Sequence, residues 1–200
     1  MRINEIITES EVLDEITRPT DIEDAHPILL KAGYKKMGDG YYALVLAKDD
    51  ADHVLKLFSV NDTSYPKFVN MTIQNPNIHF PKFKGKMMKV TDQYYAIRME
   101  KLTSFRKMLL DRGSFDLVGE IEDYIAGYAN YGKSWPETDV RGKEVTEVIA
   151  QLEKTQPGIT EACDVIVKLY KQNRDIKLDI HPGNLMMRGN TIVFTDPVSA

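Results

Sequence analysis

The spacing of the apolar residues changes near residue 101, and this change constrains the fold more than any single motif does. From Ile28 to about Met99, strand-like runs alternate with turn residues, interrupted only by a possible short helix over 65–73. Beyond Lys101 the apolar residues recur at helical spacing. These helical stretches cover 117–128, 145–152 and 159–170. The sequence therefore predicts an α+β protein, with a sheet-rich first part and a helical second part.

Composition indicates a compact chain and excludes several classes of function. The 200 residues are 42% hydrophobic and 28% charged, enough for one domain of two lobes with a sizeable core. A net charge of −4 argues against a face that binds nucleic acid directly. No run is apolar enough for a membrane span or a signal peptide, and the single Cys163 is predicted to be a packed core thiol. We expect a cytoplasmic protein without membrane partners.

The last twenty-two residues hold the most specific chemical pattern. Asp179 is followed five residues later by Asn184, and the intervening Pro182 and Gly183 can bend the backbone so that both side chains face one site. Carboxylate and amide oxygens are suitable ligands for Mg²⁺, and phosphoryl transfer needs a carboxylate near the attacking hydroxyl. Taken alone, however, Asp179 and Asn184 could equally serve only to satisfy the backbone of a turn.

A predicted hairpin connects this turn to a second acid. Residues 185–187 and 191–194 read as short strands joined by 188–190, which would return Asp196 beside Asn184. Taken alone, Asp196 could equally cap the end of a strand.

Two upstream segments add a phosphate-binding pattern. Residues 38–45 follow the pattern GxGxxGxV, with Gly38 and Gly40 in place, Ala43 at the third glycine and Val45 at the last position. Glycines let backbone N–H groups approach phosphate oxygens closely. One strand later, Lys56 is the one long cation in an apolar run, where an ordinary solvent-facing position is the alternative explanation.

In this order the segments resemble the protein kinase-like fold, together with a strand over 95–102 that resembles a kinase hinge. The nearest resemblance is to the early serine/threonine protein kinases of short-tailed lytic bacteriophages. It rests on the run from Ala32 to Gly40, on the tail from Asp179 to Asn184, and on the closing residues 195–199. It covers roughly residues 28 to 200, and the middle is matched only loosely.

The resemblance implies a two-lobe protein kinase-like fold, with a small antiparallel sheet N-lobe and a short, truncated helical C-lobe. Its expected domains are an N-terminal extension with a short docking helix (1–27), the N-lobe (28–101), and a minimal C-lobe with the catalytic loop and metal-binding segment (102–200). The docking helix is expected to begin at a capping box formed by Thr8 and Glu11.

The resemblance also implies residue roles, with ATP and Mg²⁺ as the cofactors. Asp179 would accept the proton of the attacking hydroxyl, while His181 would either donate to the γ phosphate or order the loop. Asn184 and Asp196 would bind Mg²⁺. The remaining residues would bind the nucleotide: Gly38, Gly40 and Lys56 at its phosphates, Val45 in the hairpin that covers it, and backbone groups near Glu100 and Leu102 at its adenine.

One departure from the kinase pattern keeps three functions open. The predicted helix over 65–73 contains no acidic residue to pair with Lys56, which would need another partner such as Asp196. The favoured function is a serine/threonine protein kinase that phosphorylates host proteins, with transcription or RNA-processing machinery as the implied target. A small-molecule kinase is the second, because Asp179 is followed by His-Pro-Gly-Asn as in antibiotic and metabolite phosphotransferases. The third is an inactive module that binds and inhibits a host enzyme.

Overall fold

A computed structural model of the chain describes residues 22–40, 42–105 and 115–200. The predicted docking helix that begins near Thr8 lies outside these residues. The described chain is an α+β protein that divides into two compact units, each built from two stretches of sequence. Unit 1 contains the chain up to Asp62 together with Lys82–Lys101, and unit 2 contains Thr63–Pro81 together with Leu102–Ala200.

The described residues of unit 1 form a five-stranded antiparallel sheet and one helix. The strand order is β1-β2-β3-β5-β4, so β1 and β4 are the edges. The elements are α1 (Ile22–Lys31), β1 (Lys35–Asp39), β2 (Ala43–Ala47), β3 (His53–Ser59), β4 (Phe83–Lys89) and β5 (Tyr94–Glu100). The alternation of apolar and turn residues between Lys35 and Glu100 thus becomes sheet, as predicted.

The beginning of this unit differs from the prediction. Residues 28–31, expected to open the strand pattern, form the last turn of α1. Leu29 in that turn is fully buried, and it packs with Tyr34 against the apolar residues of one sheet face. That face is lined by Leu44, Leu46, Leu55, Leu57, Val90 and Ala96. A helix satisfies the backbone of 28–31 internally, so this stretch can bury Leu29 without joining the sheet.

Unit 2 is mainly helical. Its helices are α2 (Ser64–Gln74), α3 (Phe115–Tyr131), α4 (Trp135–Thr138), α5 (Val140–Glu153) and α6 (Ile159–Gln172). All three helical stretches predicted beyond Lys101 are confirmed, and so is the short helix predicted over 65–73. The buried side chains of α6 recur at three- and four-residue spacing, the pattern of a helix with one face against a core. Cys163 lies on this face and is fully buried, as predicted.

The segment Thr63–Pro81 belongs to unit 2, although the sequence placed it in the sheet lobe. Helix α2 packs against α6 and against a short strand near the end of the chain. Phe68 of α2 meets Phe80 edge-on, and Phe80 meets Phe194 of the C-terminal hairpin. These aromatic contacts explain why the segment packs with the helices despite lying between strands in the sequence.

Short strands complete unit 2 and carry the C-terminal motif. They are β6 (Thr103–Ser104), β7 (Lys177–Leu178), β8 (Leu185–Arg188), β9 (Thr191–Phe194) and β10 (Val198–Ser199). Strands β8 and β9 form the predicted hairpin, and β6 pairs with the outer side of β8. The two-residue turn between β8 and β9 begins with Gly189 at a φ of 59°, a conformation that favours glycine. Strand β10 pairs with β7 and brings the end of the chain back beside Asp179.

Residues 132–142, which the composition suggests to be an exposed loop, are largely ordered around a buried tryptophan. Trp135 is 5% exposed and opens α4, with Pro136 in the first turn, where proline is tolerated in a helix. Asp139 then caps α5 by accepting the Arg141 N–H, and its other oxygen accepts the Trp135 indole N–H at 3.2 Å. Helix α4 and the capped start of α5 therefore leave little of this stretch as loop.

Among the described residues, no helix is long and apolar enough to cross a membrane.

Candidate functional site

In unit 1, three of the residues predicted to bind nucleotide lie in one row across the sheet. Gly38 of β1 is the register partner of Val45 in β2, and Val45 is the partner of Lys56 in β3. The sheet therefore brings together positions that are up to eighteen residues apart in sequence. The row continues to Ile97 of β5.

The row lies on the sheet face opposite the α1 core. Leu44, Leu46, Leu55 and Leu57 line the core face, and side chains alternate between faces along a strand. Val45 and Lys56 therefore share the other face. Lys56 is only 5% exposed, so the alternative explanation of a solvent-facing lysine is excluded. A buried cation is stable only beside polar or anionic groups. This position is therefore suited to binding anionic phosphate groups.

Backbone hydrogen bonds and a register shift define the shape of the glycine hairpin. Gly40 and Ala43 exchange N–H···O bonds of 2.9 and 3.4 Å, so the chain turns between β1 and β2 at this point. The register shifts between Lys36 and Gly38, which leaves Met37 as an extra residue of β1. A side-chain carbon added at Gly38 or Gly40 would meet no atom within 4 Å, so the space above both glycines is open within the described structure.

The predicted hinge has most of its backbone donors engaged. The Glu100 N–H donates to the Lys82 carbonyl at 2.9 Å, and the Lys101 N–H donates to the Asp52 carbonyl at 3.1 Å. The Glu100 carboxylate accepts the Lys82 N–H at 2.7 Å. Within the described part of the chain, the Leu102 N–H donates to no backbone carbonyl of a turn or loop.

In unit 2, hydrogen bonds join the two ends of the predicted catalytic loop. The Asn184 side chain donates its amide Nδ2 to the Asp179 carbonyl at 2.8 Å, and the Asn184 N–H donates to the His181 carbonyl at 2.9 Å. An amide that donates through nitrogen presents its oxygen on the other side. The bond to Asp179 thus fixes the Asn184 side chain with its oxygen directed away from the Asp179 carbonyl.

Asp196 is fixed to the same loop through both of its neighbours. The Thr195 N–H and hydroxyl both donate to the Asn184 carbonyl, each at 2.9 Å. On the other side, the Asp179 N–H donates to the Pro197 carbonyl at 2.9 Å. The hairpin therefore returns Asp196 to the loop, as the sequence predicts, and holds it between residues bonded to Asn184 and to Asp179.

His181 lies at the surface of this loop, with its ring close to Asp179. Its Nε2 is 3.6 Å from the Asp179 Oδ1, and the side chains of His181 and Asp179 are 52% and 41% exposed. Its Nδ1 accepts the Gly183 N–H at 3.1 Å. The loop thus presents a carboxylate and an imidazole together, both accessible to a substrate.

Two residues that support the hairpin have no recognisable signal in the sequence. His79 is fully buried, with Nδ1 2.7 Å from the Ile192 carbonyl and Nε2 3.1 Å from the Pro157 carbonyl. Its own carbonyl accepts the Phe194 N–H at 2.9 Å. A buried histidine between turn residues looks like any core histidine in sequence, so only the tertiary contacts identify it.

Arg188 is the second supporting residue. It lies at the end of β8, and its two terminal nitrogens donate to the carbonyls of Ile78 and Phe80 at 2.6 and 2.9 Å. The segment 77–80 is anchored on its other side by Asn77, which donates to the Gly158 carbonyl at 3.0 Å. These bonds connect the hairpin that positions Asn184 to helix α6 by way of one short segment.

The oxygen donors of unit 2 suit a magnesium ion that arrives with a phosphate ligand. Mg²⁺ commonly takes one or two protein carboxylates and completes its shell with water and substrate phosphates. Asn184 and Asp196 supply one amide and one carboxylate. In the described ranges no group of three or more His, Cys, Asp or Glu side chains could hold a metal by itself.

Cys163 is excluded as a nucleophile. The thiol is fully buried on α6, and burial raises its pKa, which keeps it protonated. It is a core residue, in agreement with the prediction.

No protein-family model matches the chain, and no curated protein matches its sequence.

Proposed function

We propose that the chain is an ATP-dependent phosphotransferase with a protein kinase-like fold of two lobes, and that it transfers phosphate to serine or threonine hydroxyls of host proteins. The resemblance to phage protein kinases motivates the choice of substrate. Transcription or RNA-processing proteins of the host are the class that this resemblance implies. ATP and Mg²⁺ are the cofactors under this proposal, and the host cytoplasm is the place of action.

One observation carries the proposal. Asp179, Asn184 and Asp196 are held together by bonds that join Asn184 to Asp179, Thr195 to Asn184, and Asp179 to Pro197. Turn residues that only satisfy local backbone would not need a second acid returned to them by a hairpin. A carboxylate beside two oxygen ligands is the set that phosphoryl transfer requires.

The proposed step assigns one role to each residue of this set. Asp179 orients the substrate hydroxyl, whose oxygen forms a bond to the γ phosphorus as the bond from that phosphorus to the bridging oxygen of ADP breaks. The hydroxyl proton passes to the Asp179 carboxylate, and ADP leaves. A magnesium ion held by Asn184 and Asp196 would neutralise phosphate charge when bound.

The sheet of unit 1 supports the nucleotide-binding half of the proposal. Gly38, Val45 and Lys56 share a row, and the lysine is buried on the face opposite the α1 core. Lys56 would bind phosphate oxygens, while Gly38 and Gly40 would admit them close to the backbone. Backbone groups of Glu100 and Leu102 would contact the adenine edge.

A small-molecule kinase is the second candidate, favoured by one feature of the loop. The His-Pro-Gly-Asn sequence after Asp179 resembles that of antibiotic and metabolite phosphotransferases. The two candidates share the chemistry at Asp179, so the identity of the acceptor distinguishes them.

The test is transfer of labelled γ phosphate from Mg-ATP into proteins of a bacterial lysate. We expect labelled proteins with the wild-type chain, and a loss of at least about 100-fold with Asp179→Asn and with Asp196→Asn. Asp92→Asn is the matched control, because that carboxylate is 99% exposed and forms a surface ion pair with the nearby Lys89. It should label as the wild type does.

Three other outcomes would contradict the proposed protein kinase. Labelling that persists in Asp179→Asn would place the chemistry elsewhere. ATP binding and hydrolysis without labelled proteins would favour the small-molecule kinase. Failure to bind Mg-ATP, measured by calorimetry, would leave the inactive module that binds a host enzyme.

A further inference from the structure

The ring of His181 is held in one orientation by Gly183. The Gly183 N–H donates to the ring Nδ1 at 3.1 Å. A Cβ atom at residue 183 would lie 2.7 Å from the ring Cε1, closer than real Cβ contacts, and 3.0 Å from Nδ1, which is a tight contact. The ring therefore occupies space that is open only because residue 183 is glycine. The φ of Gly183 is not positive, so this space and not the backbone conformation is what requires glycine.

This contact determines which ring nitrogen carries the proton. A neutral imidazole has one N–H and one acceptor nitrogen, and an acceptor cannot carry the proton. Since Nδ1 accepts from Gly183, the proton of the neutral ring lies on Nε2. Nε2 is the nitrogen that faces the Asp179 Oδ1, at 3.6 Å.

Asp179 has a fixed backbone and a carboxylate that needs orienting. Its N–H is bonded to Pro197 and its carbonyl accepts from Asn184. Among the described residues, His181 is the one side chain with a polar contact to its carboxylate. A base that must accept a proton from a substrate hydroxyl works best when its oxygens are held in place before the substrate arrives.

We propose that His181 is a positioning residue for Asp179. Its Nε2–H, fixed by the Gly183 contact, donates to the Asp179 Oδ1 and leaves Oδ2 to take the hydroxyl proton. This role rests on the proposed phosphotransferase function. At 3.6 Å the contact is longer than a hydrogen bond, and a small adjustment of the two exposed side chains brings Nε2 within hydrogen-bond distance of Oδ1, since contacts between catalytic groups are often long in the free enzyme.

Two substitutions separate the tasks of the two ring nitrogens. In His181→Gln the side-chain amide nitrogen reaches the position of Nε2 and can donate to Asp179. In His181→Asn the amide oxygen reaches the position of Nδ1 and can accept from Gly183, but no donor reaches Asp179. If His181 only orders the loop, the Asn variant should keep its activity. If His181 orients Asp179, the Gln variant should keep it.

The kinetic test measures kcat and Mg-ATP affinity for both variants and for His181→Ala. We expect His181→Gln to keep kcat within about 10-fold of the wild type, and the Asn and Ala variants to lose about 100-fold. Mg-ATP affinity should be unchanged in all three. Rescue by Asn and not by Gln would assign His181 to loop order and overturn the proposal. Weaker Mg-ATP binding would assign Nε2 to a phosphate, which also overturns it.

A second measurement does not depend on activity. Ring ¹⁵N NMR of the ligand-free protein, recorded on the neutral ring, should show an unprotonated Nδ1 and a protonated Nε2 for His181. Asp179→Asn should shift the Nε2 resonance, and Gly183→Ala should mix the two tautomers. A mixture in the wild type, or an Nε2 resonance indifferent to Asp179→Asn, overturns the proposal. If the chain transfers no phosphate, the proposed function fails by that result, and the ring spectrum still decides whether Gly183 fixes His181.

Discussion

At the scale of single residues, the positions with the clearest physical roles are those whose side chains replace missing backbone partners. Asn184 does so in the loop that begins at Asp179, and Glu153 does so at the start of α6. The Glu153 carboxylate accepts the Gly158 N–H at 2.6 Å and the Thr160 N–H and hydroxyl at 2.9 and 2.8 Å. These donors belong to the first turn of a helix, which has no internal acceptors for them.

Glu153 predicts an acid-sensitive contribution to stability. The hydrogen bonds from Gly158 and Thr160 lower its pKa from the ordinary value of 4.5. A carboxylate whose pKa is lower in the folded state stabilises the fold above the ordinary value, and this contribution is lost as the pH falls through the folded pKa. Glu153→Gln should therefore destabilise the protein at pH 7, and the difference from wild type should shrink below pH 4.5. Urea unfolding at several pH values checks this, and a difference independent of pH would contradict it.

At the scale of elements, helix α3 and the short helix α4 meet through a tryptophan packed against glycine. A Cβ atom at Gly127 would lie 2.1 Å from the Trp135 ring, and one at Gly142 would lie 2.9 Å from it. Tyr128 and Tyr131 border the same ring at centroid distances of 5.9 and 6.4 Å. The small residues on α3 and α5 thus form the slot that buries the lone tryptophan.

Gly127→Ala should be destabilising because the added methyl group overlaps the indole ring. Overpacking of this kind typically costs about 1–3 kcal/mol. Gly119→Ala in the same helix is the matched control, because its Cβ would meet nothing within 4 Å. The control should be neutral or stabilising by up to about 1 kcal/mol from helix propensity. Thermal unfolding of both variants tests the slot, and equal effects in the two would rule it out.

The C-terminal hairpin depends on the segment before β4. His79→Ala removes a fully buried side chain whose two ring nitrogens contact the Ile192 and Pro157 carbonyls. We expect a loss of about 2–3 kcal/mol in the free energy of unfolding, and faster amide exchange in β8 and β9. Ile78→Ala is the control, since that neighbour is 53% exposed. Unchanged exchange in the hairpin of His79→Ala would show that His79 does not anchor it.

At the scale of the whole molecule, each compact unit is assembled from two separate stretches of the chain. The β4–β5 hairpin is inserted between Pro81 and Leu102, and its ends are adjacent because Glu100 bonds to Lys82. The helical unit therefore needs residues from before the hairpin. Phe68, His79 and Phe80 are all nearly or fully buried and all belong to that earlier stretch.

This division predicts the behaviour of fragments. Residues 102–200 alone should not unfold cooperatively, because they lack α2 and the anchoring segment 77–80. A chain that joins residues 63–81 to 102–200 through a short Gly-Ser linker should recover cooperative unfolding, since the linker replaces a hairpin with adjacent ends. Circular dichroism during urea unfolding distinguishes the two. Equal cooperativity in both fragments would contradict the division.

Much of this fold follows from local patterns. Three features were predictable: the change from strand-like to helical apolar spacing near residue 101, the short helix over 65–73, and the β8–β9 hairpin. Each depends on apolar spacing and turn residues, which act over a few neighbours. The loop from Asp179 to Asn184 was predictable in shape for the same reason. The last turn of α1 and the order around Trp135 were not, because each depends on burial against residues distant in sequence.

The sequence by itself determined the α+β class, most of the elements, and the residue types of the candidate site. Those properties are set by periodicity, turn chemistry and the identity of ligand atoms, all of which are local. Only the tertiary structure decided that Lys56 is buried, that residues 63–81 pack with the helices, and that His79 and Arg188 support the hairpin. It also decided which nitrogen of His181 faces Asp179. These properties depend on contacts between side chains far apart along the chain, and no local pattern encodes them.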